Sequence, residues 1–183
     1  MSREPSAETM PFFTSDPLFV FELANNHMGR VEHGLEVIRA FARVVAPYAG
    51  RARFAFKLQY RDLATFIHPS HRERVDLKYI KRFRETELSE AEFLALKAEM
   101  ERHGFLTMCT PFDEVAAGNV ERHGFSIVKV ASCSFTDWPL LERVVRIDRP
   151  LVLSTAGASL EDLDRVVSFL RHRNKDFALM HCV

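Results

Sequence analysis

Residues 101–132 read ERHGFLTMCTPFDEVAAGNVERHGFSIVKVAS. The pentapeptide Glu-Arg-His-Gly-Phe occurs at Glu101 and again at Glu121. Each copy has the marks of a helix end. Basic residues face the negative end of the helix dipole, glycine can take the left-handed cap, and an apolar residue follows. After each copy comes a short apolar run, Phe105 to Thr110 and then Ile127 to Ser132, of strand rather than helix length. Between the runs, about Asp113 to His123 has helical composition. The stretch is therefore a strand-helix-strand unit, with one kind of helix-to-strand junction used twice. It is not evidence of a repeat protein.

The same alternation extends in both directions. Upstream, Leu18 to Ala24 is a strand candidate, Val31 to Ala46 is helical in pattern up to Pro47 and Gly50, and Arg53 to Tyr60 is a second strand. Residues 61–88 form a long charged connection with a short helix near Lys78 to Arg84, a length that suggests a functional loop. Ser89 with Glu92 predicts a capping box on a helix that runs to His103. Downstream, helix Trp138 to Arg146, strand Leu151 to Thr155, a helix capped by Ser159 running to Arg173, and strand Phe177 to Cys182 complete six strands. Apolar strands alternating with helices imply a parallel sheet covered on its faces. An open doubly wound sheet and a TIM (β/α)8 barrel both fit this order. The barrel typically needs ~250 residues. The chain stops at His181-Cys-Val183, directly after a strand, which would leave an apolar edge. The expectation is an incomplete TIM barrel of about six βα units over residues 18–183. A loose, proline-punctuated arm would precede it over residues 1–17.

Composition narrows the function. Of 183 residues, 47% are hydrophobic and 27% charged, as in an ordinary soluble domain. Lys+Arg and Asp+Glu both number 25, which argues against a nucleic-acid surface. Phenylalanine, at 16 residues, points to a large apolar core. The first 17 residues hold no apolar stretch of signal-peptide or membrane length. Three cysteines, Cys109, Cys133 and Cys182, are widely spaced in or beside apolar runs. They read as reduced, buried and cytoplasmic.

Two lysines break this apolar pattern. Lys57 interrupts Phe54-Ala-Phe-Lys-Leu-Gln-Tyr60, and Lys129 interrupts Ile127-Val-Lys-Val-Ala-Ser132. A desolvated ammonium is costly without an anion, and neither run contains Asp or Glu. Such lysines suggest a site for an anionic ligand, a phosphate or a carboxylate. In both candidate folds ligands bind at the carboxyl ends of parallel strands. Those ends are polar throughout: Glu22 with Asn25, Asn26 and His27; Lys57 and Gln59; Thr110 and Asp113; Lys129 and Ser132; Ser154 and Thr155; His181. Taken singly, a strand lysine can snorkel to solvent, hydroxyls usually cap backbone, Asp113 fits an N-cap, and a lone histidine is more often structural than a ligand. His68 and His71 sit in a charged loop and read as solvated. With no glycine-rich phosphate loop and no close His/Cys metal motif, phosphate would be held by lysines, hydroxyls and backbone N–H groups.

In order, Glu22-Leu-Ala-Asn-Asn-His27-Met-Gly29, Lys57-Leu-Gln59, Thr110-Pro-Phe-Asp113, Lys129-Val-Ala-Ser132, Ser154-Thr-Ala and His181-Cys-Val resemble the strand-end motifs of the sialic acid synthase family. The resemblance runs from about Leu18 to the last residue. It implies a (β/α)8 barrel and condensation of phosphoenolpyruvate with an N-acetylmannosamine-like amino sugar, giving a nonulosonic acid and phosphate. By that resemblance Lys57, Thr110, Lys129, Ser132 and Ser154 hold phosphoenolpyruvate, and Glu22 lies near the reacting carbons. Gln59 contacts the amino-sugar acceptor, and His181 is one of two histidine ligands of Mn2+ or Mg2+. The family usually adds an antifreeze-protein-like domain that reaches into the partner of a homodimer. That domain and barrel strands seven and eight are absent from these residues, so this chain alone is expected to be inactive. After Ser132 the family's sugar-specific synthases commonly carry Gly-Glu, where this chain has Cys133-Ser134. Asp137 could supply the missing acid or cap the helix beginning near Trp138. The residues also admit a Schiff-base aldolase acting through Lys129 or Lys57, and a non-catalytic phosphate-binding module.

Overall fold

The structure, a computed structural model, describes residues 12–14 and 16–182. Its sheet has six parallel strands: β1 Leu18–Glu22, β2 Arg53–Tyr60, β3 Leu106–Pro111, β4 Ile127–Val130, β5 Leu151–Ser154 and β6 Phe177–Met180. Their spatial order is their chain order, β1-β2-β3-β4-β5-β6. A doubly wound sheet reverses its strand order at a switch point. This sheet does not, and it has the arrangement of an incomplete TIM barrel. Among the described residues β1 pairs only with β2, and β6 only with β5.

Helices α1 Val31–Val45, α4 Glu90–Arg102, α5 Glu114–Arg122, α6 Trp138–Val144 and α7 Leu160–Arg171 link consecutive strands. Two short helices, α2 Leu63–Phe66 and α3 Lys78–Glu85, lie in the expected long connection. Capping fixes where helices begin. Ser89 and Glu92 form the predicted reciprocal box, as do Ser159 and Asp162. Asp113 accepts from Ala116 N at 2.7 Å and Asp137 from Leu140 N at 3.2 Å. Asp137 is thus a helix cap. The repeated junction also forms as expected, with Gly104 and Gly124 at φ +76° and +69° before buried Phe105 and Phe125.

Period-two alternation splits the strands into two faces. Phe56, Leu58, Cys109, Val128, Val130, Leu151 and Leu153 face the helices and form the main core. The other face is apolar at the amino ends of the strands, where Ala55, Met108, Ile127 and Val152 form a second cluster. Phe12 and Phe13 pack against that cluster. Arg53 Nη1 donates to Phe12 O at 2.7 Å, its guanidinium lies 4.9 Å from the Phe12 ring, and Phe12 N donates to the Asp176 carboxylate. Phe12 and Phe13, within the expected arm, thus pack on the amino-terminal end of the sheet, where their rings are partly buried. Residues 1–11 and 15 of that arm lie outside the described residues.

All three cysteines are free thiols, and the expectation of burial holds only for Cys109, whereas Cys133 is exposed and Cys182 half-buried. Both of these follow the last residue of their strand, where inward-outward alternation no longer applies. His68 and His71 are exposed, as their charged loop suggested.

Helix α4 is joined to α1 by a charge cluster. Glu99 is buried and accepts from Arg102 at 2.5 Å, Arg39 at 2.7 Å and His103 at 3.2 Å. The Arg102 hydrogen bond foremost, helped by Arg39 and His103, outweighs burial and holds its carboxyl down at about 2. A depressed carboxyl stabilises the fold above its unfolded value, and this contribution disappears as pH falls from about 4.5 to about 2. Glu99→Gln should therefore lose roughly 1–3 kcal/mol at pH 7 and show a shallower acid limb in thermal melts between those values. An unchanged acid limb would count against this cluster as a stabilising contact.

Candidate active site

On the inner face, side chains change from apolar to polar toward the carboxyl ends of the strands. There they surround a cavity of about 340 Å3 lined by Glu22, Lys57, Gln59, Thr110, Lys129, Ser132 and Ser154. Seven of the eight site residues expected from the sequence thus share one cavity, joined by Phe112 and Met180. His181 is the exception: it is exposed beyond the end of β6 and does not line the cavity.

The two lysines differ in a way the linear sequence did not show. Register places Glu22 of β1 beside Lys57 of β2, and the two form an ion pair. Lys57 Nζ also lies 3.4 Å from Thr110 Oγ1. Lys57 therefore has an acid, although none lies within its own run. Its partner is distant in sequence but adjacent across the parallel ladder. Lys129 has no such partner among the described residues. Its Nζ donates to Ser154 Oγ at 2.5 Å and to the Val130 carbonyl at 2.7 Å, both neutral. Burial, reinforced by the positive charge of Lys57, lowers its pKa from 10.5 to about 8. The cavity therefore holds one ion-paired cation and one cation whose hydrogen-bond partners are neutral oxygens, with the Glu22 charge acting on it only through space.

Ser132 reaches the cavity because β4 ends at Val130 and a 3-10 turn, Ser132–Ser134, follows. Asp113 does not reach it. Its second oxygen accepts from Asp62 N at 2.9 Å and anchors the start of the long connection. His27 is buried and accepts from Gly29 N at 3.2 Å, a loop contact rather than a ligand position. Burial chiefly lowers its pKa. Cys182 Sγ accepts from Ala156 N at 3.1 Å.

Beside the cavity lies a residue that sequence reading missed. Arg61, one residue beyond β2, donates from Nη2 to Gln59 Oε1 at 3.0 Å. Only its position two residues after Gln59 could have flagged it. The aromatic rings around it come from Phe66, Phe83 and Phe112, too far apart in sequence to form a motif.

His181 supplies a single imidazole. Among the described residues no three His, Cys, Asp or Glu side chains come together to hold a metal ion. These residues alone do not fit a complete divalent-metal site. No helix among them is long and apolar enough to cross a membrane.

A protein-family model described as the NeuB family matches residues 50–183. A solved structure from Chromobacterium violaceum, described as a spore coat polysaccharide biosynthesis protein E, is 56% identical with a TM-score of 0.88. It is matched over 92% of this chain and 49% of its own. The N-acetylneuraminic acid (sialic acid) synthetase of Leptospira borgpetersenii, solved in complex with citrate, is 27% identical with a TM-score of 0.76, over 92% and 55% of the two chains. The N-acetylneuraminate-9-phosphate synthase of Drosophila melanogaster is 28% identical over 90% of this chain and 44% of its own length. The chain spans about half the length of the curated relatives it matches.

Proposed function

The chain belongs to the NeuB family, and from that premise we propose that it carries the phosphoenolpyruvate side of a sugar-acid synthase site. The observation that supports this most directly is Lys129, a buried lysine at a polar cavity that makes no ion pair among the described residues and hydrogen-bonds only neutral oxygens. A phosphate or carboxylate oxygen would supply the missing charge. Ser154 contacts Lys129 directly, and Ser132, Lys57 and Thr110 line the same cavity, the last two within hydrogen-bond reach of each other.

In the proposed reaction, C3 of phosphoenolpyruvate attacks the aldehyde carbon of an open-chain N-acetylmannosamine-like sugar. The aldehyde oxygen takes up a proton as the C2=C3 π pair forms the new bond; positive charge develops at C2, water adds there and gives up a proton, and the C–O bond to phosphate breaks as C2 becomes a ketone. Lys129, Lys57 and the hydroxyls hold phosphate and carboxylate throughout, so that charge is met by preorganised donors. Glu22, fixed by Lys57, presents its carboxylate to the cavity where it can offset the charge at C2. Gln59 faces the acceptor. Mn2+ or Mg2+, with His181 as one ligand and further ligands from outside the described residues, would polarise the aldehyde. None of the roles given above to these side chains depends on it. The enzyme is proposed to act as a homodimer.

The direct test is phosphate release from phosphoenolpyruvate by the intact enzyme, screened across N-acetylmannosamine, its 6-phosphate and modified amino hexoses. Release with one acceptor class and not without acceptor is expected; release with none would reject the reading. The lowered pKa of Lys129 also favours a second reading, as a Schiff-base amine. Borohydride trapping of a keto substrate on Lys129 would establish that alternative.

A further inference from the structure

Gln59 lines the candidate-site cavity and also a smaller pocket, shared with Asn25, Arg61 and Thr86. An isolated glutamine can turn its carboxamide through a half rotation and present either C=O or NH2. Here Arg61 removes that freedom. A guanidinium only donates, so the Gln59 atom facing Nη2 at 3.0 Å must be the carbonyl oxygen. The NH2 group is then turned away from Arg61.

Arg61 is itself held in place. Its guanidinium carbon lies 3.9 Å from the Phe112 ring centre, 4.6 Å from Phe83 and 6.0 Å from Phe66. Stacking fixes the plane of the fork without using its donors. The nearby carboxylate of Asp113 instead caps α5 and accepts from the Ala116 and Asp62 N–H groups, and no ion pair joins it to Arg61 among the described residues. The arginine is therefore not diverted into an ion pair, and its bond to Gln59 is the one side-chain hydrogen bond it makes among the described residues.

We propose that Arg61 is a positioning residue that locks the Gln59 carboxamide as a hydrogen-bond donor, so that the acceptor is read here through an oxygen lone pair, as in an N-acyl carbonyl or a carboxylate. This rests on Gln59 facing the acceptor, as set out above. Arg61 acts through Gln59, and it also joins the 61–88 connection, through Phe66 and Phe83, to Phe112 at the cavity wall.

The test compares Arg61→Met, Arg61→Lys, Gln59→Leu and the Arg61→Met/Gln59→Leu double variant in the intact enzyme. Arg61→Met should raise KM for the amino sugar about tenfold and leave KM for phosphoenolpyruvate within about twofold. Arg61→Lys should restore part of the loss, and the double variant should be no worse than Gln59→Leu alone. Equal rises in both KM values, or losses that multiply in the double variant, would overturn the proposal. A second readout needs no turnover: the Gln59 side-chain 15N–H2 pair should be sharp and distinct in the unmodified protein and shifted or averaged in Arg61→Met. An unchanged pair would also overturn it. If the unmodified enzyme releases no phosphate with any acceptor, the reading of the reaction fails, and the amide signals still decide the positioning role. Were Arg61→Met not to fold, Arg61→Lys decides by the same amide readout.

Discussion

Replacing Lys129 by methionine is expected to stabilise the folded protein and abolish its binding of phosphoenolpyruvate. The two effects share one cause. Lys129 is buried, and its pKa falls from 10.5 to about 8 because burial and the Lys57 charge oppose its ionisation. A lysine whose folded pKa lies below its unfolded value costs stability while it is protonated. That cost is fully present below about 8 and fades as pH rises toward 10.5. The shift corresponds to about 3 kcal/mol at neutral pH. Methionine would remove this cost but also two hydrogen bonds, each worth ~1 kcal/mol. A net gain of roughly 1 kcal/mol at pH 7 should shrink to nothing or reverse near pH 10. Denaturant melts at the two pH values measure it, and a variant less stable at pH 7 would refute the argument. Calorimetry should show phosphoenolpyruvate affinity falling by about 100-fold or more, since a charged hydrogen bond to phosphate is lost. In the unmodified enzyme, kcat/KM for phosphoenolpyruvate should fall above about pH 8, where free Lys129 loses its proton.

Gly29→Ala should be the most damaging single change outside the cavity. Gly29 has φ +69°, and a Cβ there would sit 2.4 Å from the carbonyl oxygen of Glu85. Both sides of that contact are backbone, so no side chain can rotate away. The left-handed conformation costs about 1–2 kcal/mol, and displacing the end of α3 should bring the total to roughly 3 kcal/mol. Because α3 carries Phe83 against Arg61, the displacement should also reach Gln59. A lower Tm is expected, together with a larger rise in KM for the acceptor than for phosphoenolpyruvate. Gly50→Ala is the control: φ is +79° with nothing within 4 Å of the added carbon, so only the conformational cost remains. Equal losses in Tm for the two variants would remove the Glu85 contact from the explanation.

The strand ends were legible because a polar residue in an apolar, alternating run carries information without its neighbours. Lys57, Gln59, Thr110, Lys129 and Ser154 stand out in this way, and their odd-even position places them on one face. Helix starts at Ser89, Asp113 and Ser159 were legible because a cap acts within three residues. Arg61 was not, since its environment is assembled from rings on three separate segments. The two exposed cysteine and histidine ends, Cys133 and His181, follow strands whose last residue only the fold defines.

The sequence by itself determined which segments become strands and helices, and which polar side chains point inward at the carboxyl ends. Those choices depend on hydrophobic period and capping, both local. Tertiary structure alone decided that Glu22 pairs with Lys57 while Lys129, among the described residues, hydrogen-bonds only neutral oxygens. It also decided that Phe12 and Phe13 cover the opposite end of the sheet and that Arg61 fixes Gln59. A charge is satisfied by whatever lies within a few ångströms, and parallel register brings together residues tens of positions apart.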